Sequence, residues 1–208
     1  MEKIMSDNTS QCESKLFDGV RDFQHNIQPD LQPMFDGLAN GQSPKALFIT
    51  CSDSRIDPNL LTGTEPGELF VVRNAGNIIP DPAAQTDGAH CAIEYAVLAL
   101  SVPEIIICGH AKCGAMGAAL DPDSVSQFPF IADWVALTDT SVELCDDDPL
   151  KSLVLANVKD QIRIVSEIPF VAERMQAGEL SVHGWYYDFV TGAVEVLDHA
   201  SGEFSALI

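Results

Sequence analysis

Three side chains stand out for the chemistry they could share: Cys51, His110 and Cys113. Two thiolates and one imidazole form a ligand mixture suited to Zn²⁺, and three protein ligands leave one tetrahedral position for water. An open position separates a catalytic centre from a structural one. His110 and Cys113 stand three residues apart, bracketed by Gly109 and Gly114, so a tight turn lets both bind the same ion. Taken singly these are weak signals, since a buried cysteine after a strand is most often a small apolar residue. Their weight comes from occurring together at the ends of predicted sheet strands. Asp53 and Arg55 lie two residues apart on the segment that carries Cys51, and alternation along an extended chain turns both toward one side. A carboxylate beside a guanidinium stays ionised and held in orientation. Next to an open metal it either accepts a hydrogen bond from the metal's water or binds the metal itself.

Other signals point nowhere in particular. Cys12, Cys91, Cys108 and Cys145 form no C-x-x-C pair, so a thioredoxin-like role lacks its motif. Gly109-x₄-Gly114 opens like a phosphate-binding loop, but Ala115-Met116 stand where Lys and Ser/Thr are required. His25, His90, His183 and His199 are isolated and read as ordinary surface or core histidines.

The elements that must position these residues follow from hydrophobic patterning. Continuous apolar runs of strand length occur at Ala46–Thr50, Leu69–Val72 and Glu104–Cys108. The first is followed at once by Cys51, and the third by Gly109-His110. Ala89–Leu100 and Leu150–Val165 carry apolar residues at helical spacing. Strands near Leu180–Tyr187 and Ala193–Leu197 flank a turn at Thr191-Gly192. Unbroken apolar strands alternating with helices predict an α/β fold with a mainly parallel central sheet flanked by helices. Ahead of it, Leu16, Val20, Phe23 and Ile27 predict a helical arm in two parts separated at Pro29, with Asn40-Gly41 closing it. The expected organisation is an arm over residues 1–40 and one zinc-binding catalytic domain over 41–208. Asp146-Asp-Asp148 reads as a solvated loop whose carboxylates suit the start of the long helix.

With 11 Lys+Arg against 31 Asp+Glu, the net charge of −20 argues against nucleic acid and anionic membrane as partners, since both repel it. No apolar run approaches the ~20 residues that span a bilayer. Met1–Gln11 is too polar for an export signal, and six cysteines without one suggest a reducing, cytoplasmic setting.

Three blocks together carry a family resemblance: Cys51-Ser-Asp-Ser-Arg55, Pro66-Gly-Glu-Leu-Phe-Val-Val-Arg-Asn74 and Gly109-His-Ala-Lys-Cys-Gly114. In this order and spacing the chain resembles the β-class carbonic anhydrases, strongly from about Leu38 to Leu120 and more weakly at Val182–Asp188. The resemblance implies one zinc per chain on Cys51, His110 and Cys113, with Asp53 and Arg55 as a catalytic dyad. It implies reversible hydration of CO₂ to bicarbonate and a proton by zinc-bound hydroxide, and a homodimer or higher even-numbered oligomer. Position by position, Gln42 matches a glutamine whose amide holds substrate, and Gly114 a glycine whose N–H faces the reacting oxygen. Phe70 and Tyr95 match the aromatic wall of the pocket, part of which comes from a neighbouring subunit. One branch of the family closes its site by swinging the aspartate onto the metal, aided by bicarbonate in a side pocket built from Trp, Arg and Tyr. Here Phe48 stands at the Trp position and has no N–H to donate, although Arg73 and Tyr187 are present. Two rival readings stay open. The same ligand set serves a carbonyl sulfide or carbon disulfide hydrolase, and a non-catalytic zinc module would need Asp53 as its fourth ligand.

Overall fold

Residues 15–83 and 85–207 are described in the structure, a computed structural model. Cys12 lies outside them. The chain divides into two compact units, Met1–Gln42 and Ser43–Ile208.

In the first unit a helix (α1) runs over residues 15–38. The expected break at Pro29 does not occur. A π-helical turn at Phe23–Ile27, in which Gln28 N–H reaches the Phe23 carbonyl, leads directly into the α-helical stretch Gln28–Leu38. Pro29 directly follows that π-helical turn, a local change of winding that lets the helix run on through the proline. The apolar stripe is real but unburied within this unit: Leu16, Phe17, Val20, Phe23 and Ile27 are all exposed.

The second unit is built on a six-stranded sheet of order β2-β1-β3-β4-β5-β6. Its strands are β1 (Ala46–Cys51), β2 (Leu69–Asn74), β3 (Glu104–His110), β4 (Ser181–Asp188), β5 (Ala193–Asp198) and β6 (Glu203–Ala206). The first four are parallel, and β5 and β6 add an antiparallel edge. β1 is buried along its whole length, as its unbroken apolar run requires of a central parallel strand. From β1 the chain moves outward to β2, then returns to place β3 on the other side of β1. The strand order therefore reverses between β1 and β3, and ligands of open α/β sheets bind at the carboxyl ends of strands at such a switch point.

Among the described residues the α-helices of the unit are α2 (Pro58–Thr62), α3 (Gly88–Glu94, continued by a π-helical turn Tyr95–Ala99), α4 (Gly114–Leu120), α5 (Pro129–Val135), α6 (Pro149–Glu167) and α7 (Pro169–Gln176). Asp148 caps α6 by accepting from Lys151 N–H, and Pro149 starts it. The helix closes tightly on the sheet because β3 and β4 present glycines. A Cβ at Gly109 would lie 2.6 Å from Val154, and one at Gly184 the same distance from Ile162. Gly109 thus brings α6 down beside the strand end that carries His110. The short helices α2, α5 and α7 and the four-residue β6 escape sequence patterning, because none spans enough residues to show a period. Among the described residues no helix is long and apolar enough to cross a membrane.

Candidate metal centre

Cys51 is the last residue of β1 and His110 the last of β3, so the switch point sets both at the same edge of the sheet. Past His110 the chain turns within two residues, with Lys112 in the left-handed region at φ +54°, and Cys113 becomes the N-cap of α4. The ligand atoms of Cys51, His110 and Cys113 all lie within 4.8 Å of one another, and all three residues are buried. Their two sulfurs stand 3.9 Å apart. Zinc–sulfur bonds of about 2.3 Å at a tetrahedral angle place two sulfurs about 3.8 Å apart.

Three further observations test the fit to a metal. His110 Nδ1–H donates to the Ala111 carbonyl at 2.8 Å, which leaves Nε2 with its lone pair. That Nε2 is buried and has no hydrogen-bond partner, an expensive state unless a ligand or cation meets it. The thiol pair is frustrated in the same way. Cys51 is held below the ordinary thiol range, first by its neighbour Cys113 and, against the cost of burial, by His110 and the Gly76 N–H. Cys113 is pushed up by the Cys51 sulfur beside it and by burial. Two adjacent thiols cannot both ionise without a cation between them, and a divalent ion resolves this. Cys108 offers the contrast: it is buried without such partners, and its thiol is pushed up to about 12. The cluster fits a metal ion.

Asp53 and Arg55 border it. Asp53 Oδ1 accepts from Arg55 N and Nε at 2.9 Å each, and Oδ2 accepts from Arg55 Nη2 at 2.7 Å. These bonds hold the Asp53 carboxyl well below the usual carboxylate range. Oδ2 also lies 3.9 Å from His110 Nε2, so the carboxylate faces the cluster without belonging to it. Arg55 in turn donates to the Lys112 carbonyl at 3.1 Å and lies 4.4 Å over the Phe189 ring. It ties the loop after β1 to the loop after β3.

The remaining expected site residues are placed differently. Gly114 is the first residue of α4, where an N–H has no partner within the helix, and a Cβ there would meet nothing within 4 Å. Phe70 and Tyr95 contact each other, with ring centroids 5.9 Å apart. However, Phe70 pairs with Leu47, four residues before Cys51, which sets it about 13 Å down the strand from the metal ligands. Gln42 is exposed and ends the first unit. Arg73 takes an unexpected role. Its guanidinium donates to the carbonyls of Cys51, Asp53 and Ile56 at 3.0, 2.7 and 2.9 Å. Phe48 is buried edge-on against Trp185, with centroids 5.9 Å apart. The motifs also missed Gly76, whose N–H donates to Cys51 Sγ at 3.3 Å. One signal could have pointed there: the polar pair Asn157 and Gln161 interrupts the buried stripe of α6.

A family model described as Carbonic anhydrase matches residues 46–194. The carbonic anhydrase of Pseudomonas aeruginosa is 42% identical over 199 residues, covering 92% of this chain and 90% of the relative. This chain belongs to the β-class carbonic anhydrases. It is a carbonic anhydrase enzyme with the fold of its family. The β-carbonic anhydrase CcaA superposes with a TM-score of 0.87 at 38% identity, covering 94% of this chain and 99% of that one. A tetrameric β-carbonic anhydrase of Sordaria macrospora aligns with a TM-score of 0.72 at 27% identity, over 97% of this chain and 99% of its own.

Proposed function

We propose that this carbonic anhydrase hydrates CO₂ reversibly to bicarbonate and a proton at one zinc ion held by Cys51, His110 and Cys113. The observation that carries the reading is the orphaned His110 Nε2 beside two sulfurs, with an ionised carboxylate facing them. Zinc, when bound there, supplies an activated water at near-neutral pH. The chain's own residues do the rest. Asp53 accepts a hydrogen bond at Oδ2 from the attacking group and so aims its free lone pair at the carbon. Arg55 keeps Asp53 ionised and oriented through its bidentate fork. The N–H of Gly114 donates to the substrate oxygen that gains negative charge. The bidentate pair holds Asp53 away from the metal, so the resting site is open.

The active form is a homodimer or a higher even-numbered oligomer, located in the cytoplasm. Two observations support assembly: the exposed apolar stripe of α1, and Phe70, which sits too far down β2 to wall its own chain's centre and has Tyr95 packed against it. In a dimer that pair walls the neighbour's pocket.

Stopped-flow CO₂ hydration with zinc quantified on the same sample tests the reaction. Hydration that tracks zinc content supports it; a zinc-loaded protein that releases sulfide from carbonyl sulfide but does not hydrate CO₂ overturns it. Deleting residues 1–38 tests assembly, because the remaining chain should become monomeric or aggregated and inactive. A truncated chain that stayed a fully active dimer would refute the role of the arm.

A further inference from the structure

The sulfur of Cys51 receives its hydrogen bond from a turn that is itself gripped from two sides. Gly76 N–H, which reaches Cys51 Sγ at 3.3 Å, belongs to the peptide whose carbonyl is that of Ala75. Onto that carbonyl Trp134 Nε1–H of α5 donates at 2.7 Å. The next carbonyl, that of Gly76, accepts from Asn157 Nδ2 of α6 at 3.1 Å. Asn157 Oδ1 accepts from Gln161 Nε2 at 3.2 Å, and Gln161 Oε1 accepts from Ile79 N–H at 2.7 Å, which closes the network on the far side of the same turn. Asn157 and Gln161 are buried amides in an otherwise apolar helix face, and each is committed to this one turn. Gly76 itself sits at φ +77°, and a Cβ would come within 2.8 Å of Met116 and 3.0 Å of Ala115 on α4.

We infer that Trp134 and Asn157 are positioning residues: both fix the turn so that the Gly76 N–H is aimed at the Cys51 sulfur, and Trp134, on the carbonyl of the same peptide, also sets how strongly it is donated. The physics is that of a hydrogen-bond chain. A donor on the carbonyl of a peptide polarises it, so the N–H of the same peptide becomes a stronger donor. An N–H on a metal thiolate withdraws charge from sulfur and fixes its direction, and such outer partners tune a metal centre through its ligands. The grip comes from two helices that supply no ligand, so the sulfur's electronic character depends on packing remote from the metal.

The inference rests on the reading of Cys51 as a metal ligand, and the test separates the two. Cobalt(II) is loaded in place of zinc, and the sulfur-to-cobalt charge-transfer absorption is recorded for the natural protein, Trp134→Phe, Asn157→Leu and Val165→Ala. Val165 is buried in the core cluster away from the ligands and controls for loss of packing alone. Zinc affinity by chelator competition and melting temperature are measured on the same proteins. The expected result is a charge-transfer band moved to lower energy in Trp134→Phe and Asn157→Leu, with zinc affinity about 10-fold weaker. Val165→Ala should lower the melting temperature and leave band and affinity in place. Bands and affinities unchanged in both Trp134→Phe and Asn157→Leu, whatever their melting temperatures, would overturn the inference while leaving the metal assignment intact. A natural protein that takes up cobalt without any thiolate band would overturn both.

Discussion

Two loops meet at the candidate metal centre, and they are held in opposite ways. The loop after β3, His110 to Gly114, is largely self-supporting. His110 bonds to the carbonyl of the next residue, Cys113 starts α4 with its carbonyl accepting from Gly117 N–H, and Ala111 N–H extends the ladder to Tyr187 on β4. The loop after β1, Cys51 to Ile56, leans on β2 and the turn that follows it. Arg73 clamps three of its carbonyls, Ser52 N–H bonds to the Asn74 carbonyl, and Gly76 N–H reaches the Cys51 sulfur. The loop that carries the Asp53–Arg55 pair is therefore set mainly by tertiary contacts, and the loop that carries His110 and Cys113 mainly by local geometry, with the Ala111–Tyr187 and Arg55–Lys112 bonds as its two distant supports. Substitutions in one should act near themselves, and in the other at a distance.

The largest expected effect does not distinguish the loops and checks that both feed one centre. Cys51→Ala and His110→Ala should each lose most of the zinc and nearly all hydration activity, since a two-ligand remnant competes poorly with chelators. Full zinc occupancy in either variant, by elemental analysis, would sink the shared centre.

Next comes Arg73→Leu, which removes the clamp without touching a ligand. Activity should fall about 10–100-fold while much of the zinc is kept, the size expected for loss of a support beneath a metal site. Arg73→Lys should rescue little, because one ammonium cannot replace a planar fork that serves three carbonyls. An unchanged kcat/KM in Arg73→Leu would mean that the loop after β1 stands by itself, and the contrast would collapse.

A third expectation concerns closure of the site. Moving Asp53 onto the metal must break the bonds from Arg55, which hold its carboxyl below the usual range, and displace a loop whose carbonyls occupy Arg73. The sign follows from the lowered pKa: Asp53 is ionised above it and takes a proton only as the pH falls through it, far below an assay range of about pH 6–9. Hydration should show a single-proton profile there, and bicarbonate should inhibit without cooperativity. A Hill slope near two in stopped-flow measurements below pH 8 would show that the clamp yields.

The smallest effects belong to the self-supporting loop. At Lys112, φ +54° suits glycine, so Lys112→Gly should change stability by less than about 1 kcal/mol. Lys112→Val puts a β-branched side chain at that angle and should cost about 1–3 kcal/mol in thermal or denaturant unfolding. Equal stability of the two variants would show that the loop's backbone angle is held from elsewhere.

What could be read from the sequence divides along the same line. His110-x-x-Cys113 between two glycines, Asp53 two residues before Arg55, and the buried run of β1 ending at Cys51 are short-range patterns whose periods and spacings carry physical meaning by themselves. They located the parallel sheet, the Cys51–His110–Cys113 cluster and the carboxylate–guanidinium pair. The continuity of α1 across Pro29 was not legible, because a π-helical turn leaves no periodic trace before the proline.

The sequence by itself determined which side chains could bind a metal and which strands would end in them, since those properties belong to residues close together along the chain. Only the tertiary structure decided that Arg73 holds the Cys51 loop, that Trp134 and Asn157 grip the Gly76 turn, and that Phe70, with Tyr95 packed against it, sits about 13 Å along the strands from Cys51. Those hydrogen bonds join residues 17 to 81 positions apart, for which neither spacing nor period exists. Register between strands and the approach of helices bring them together, and both are set by burial of the whole core.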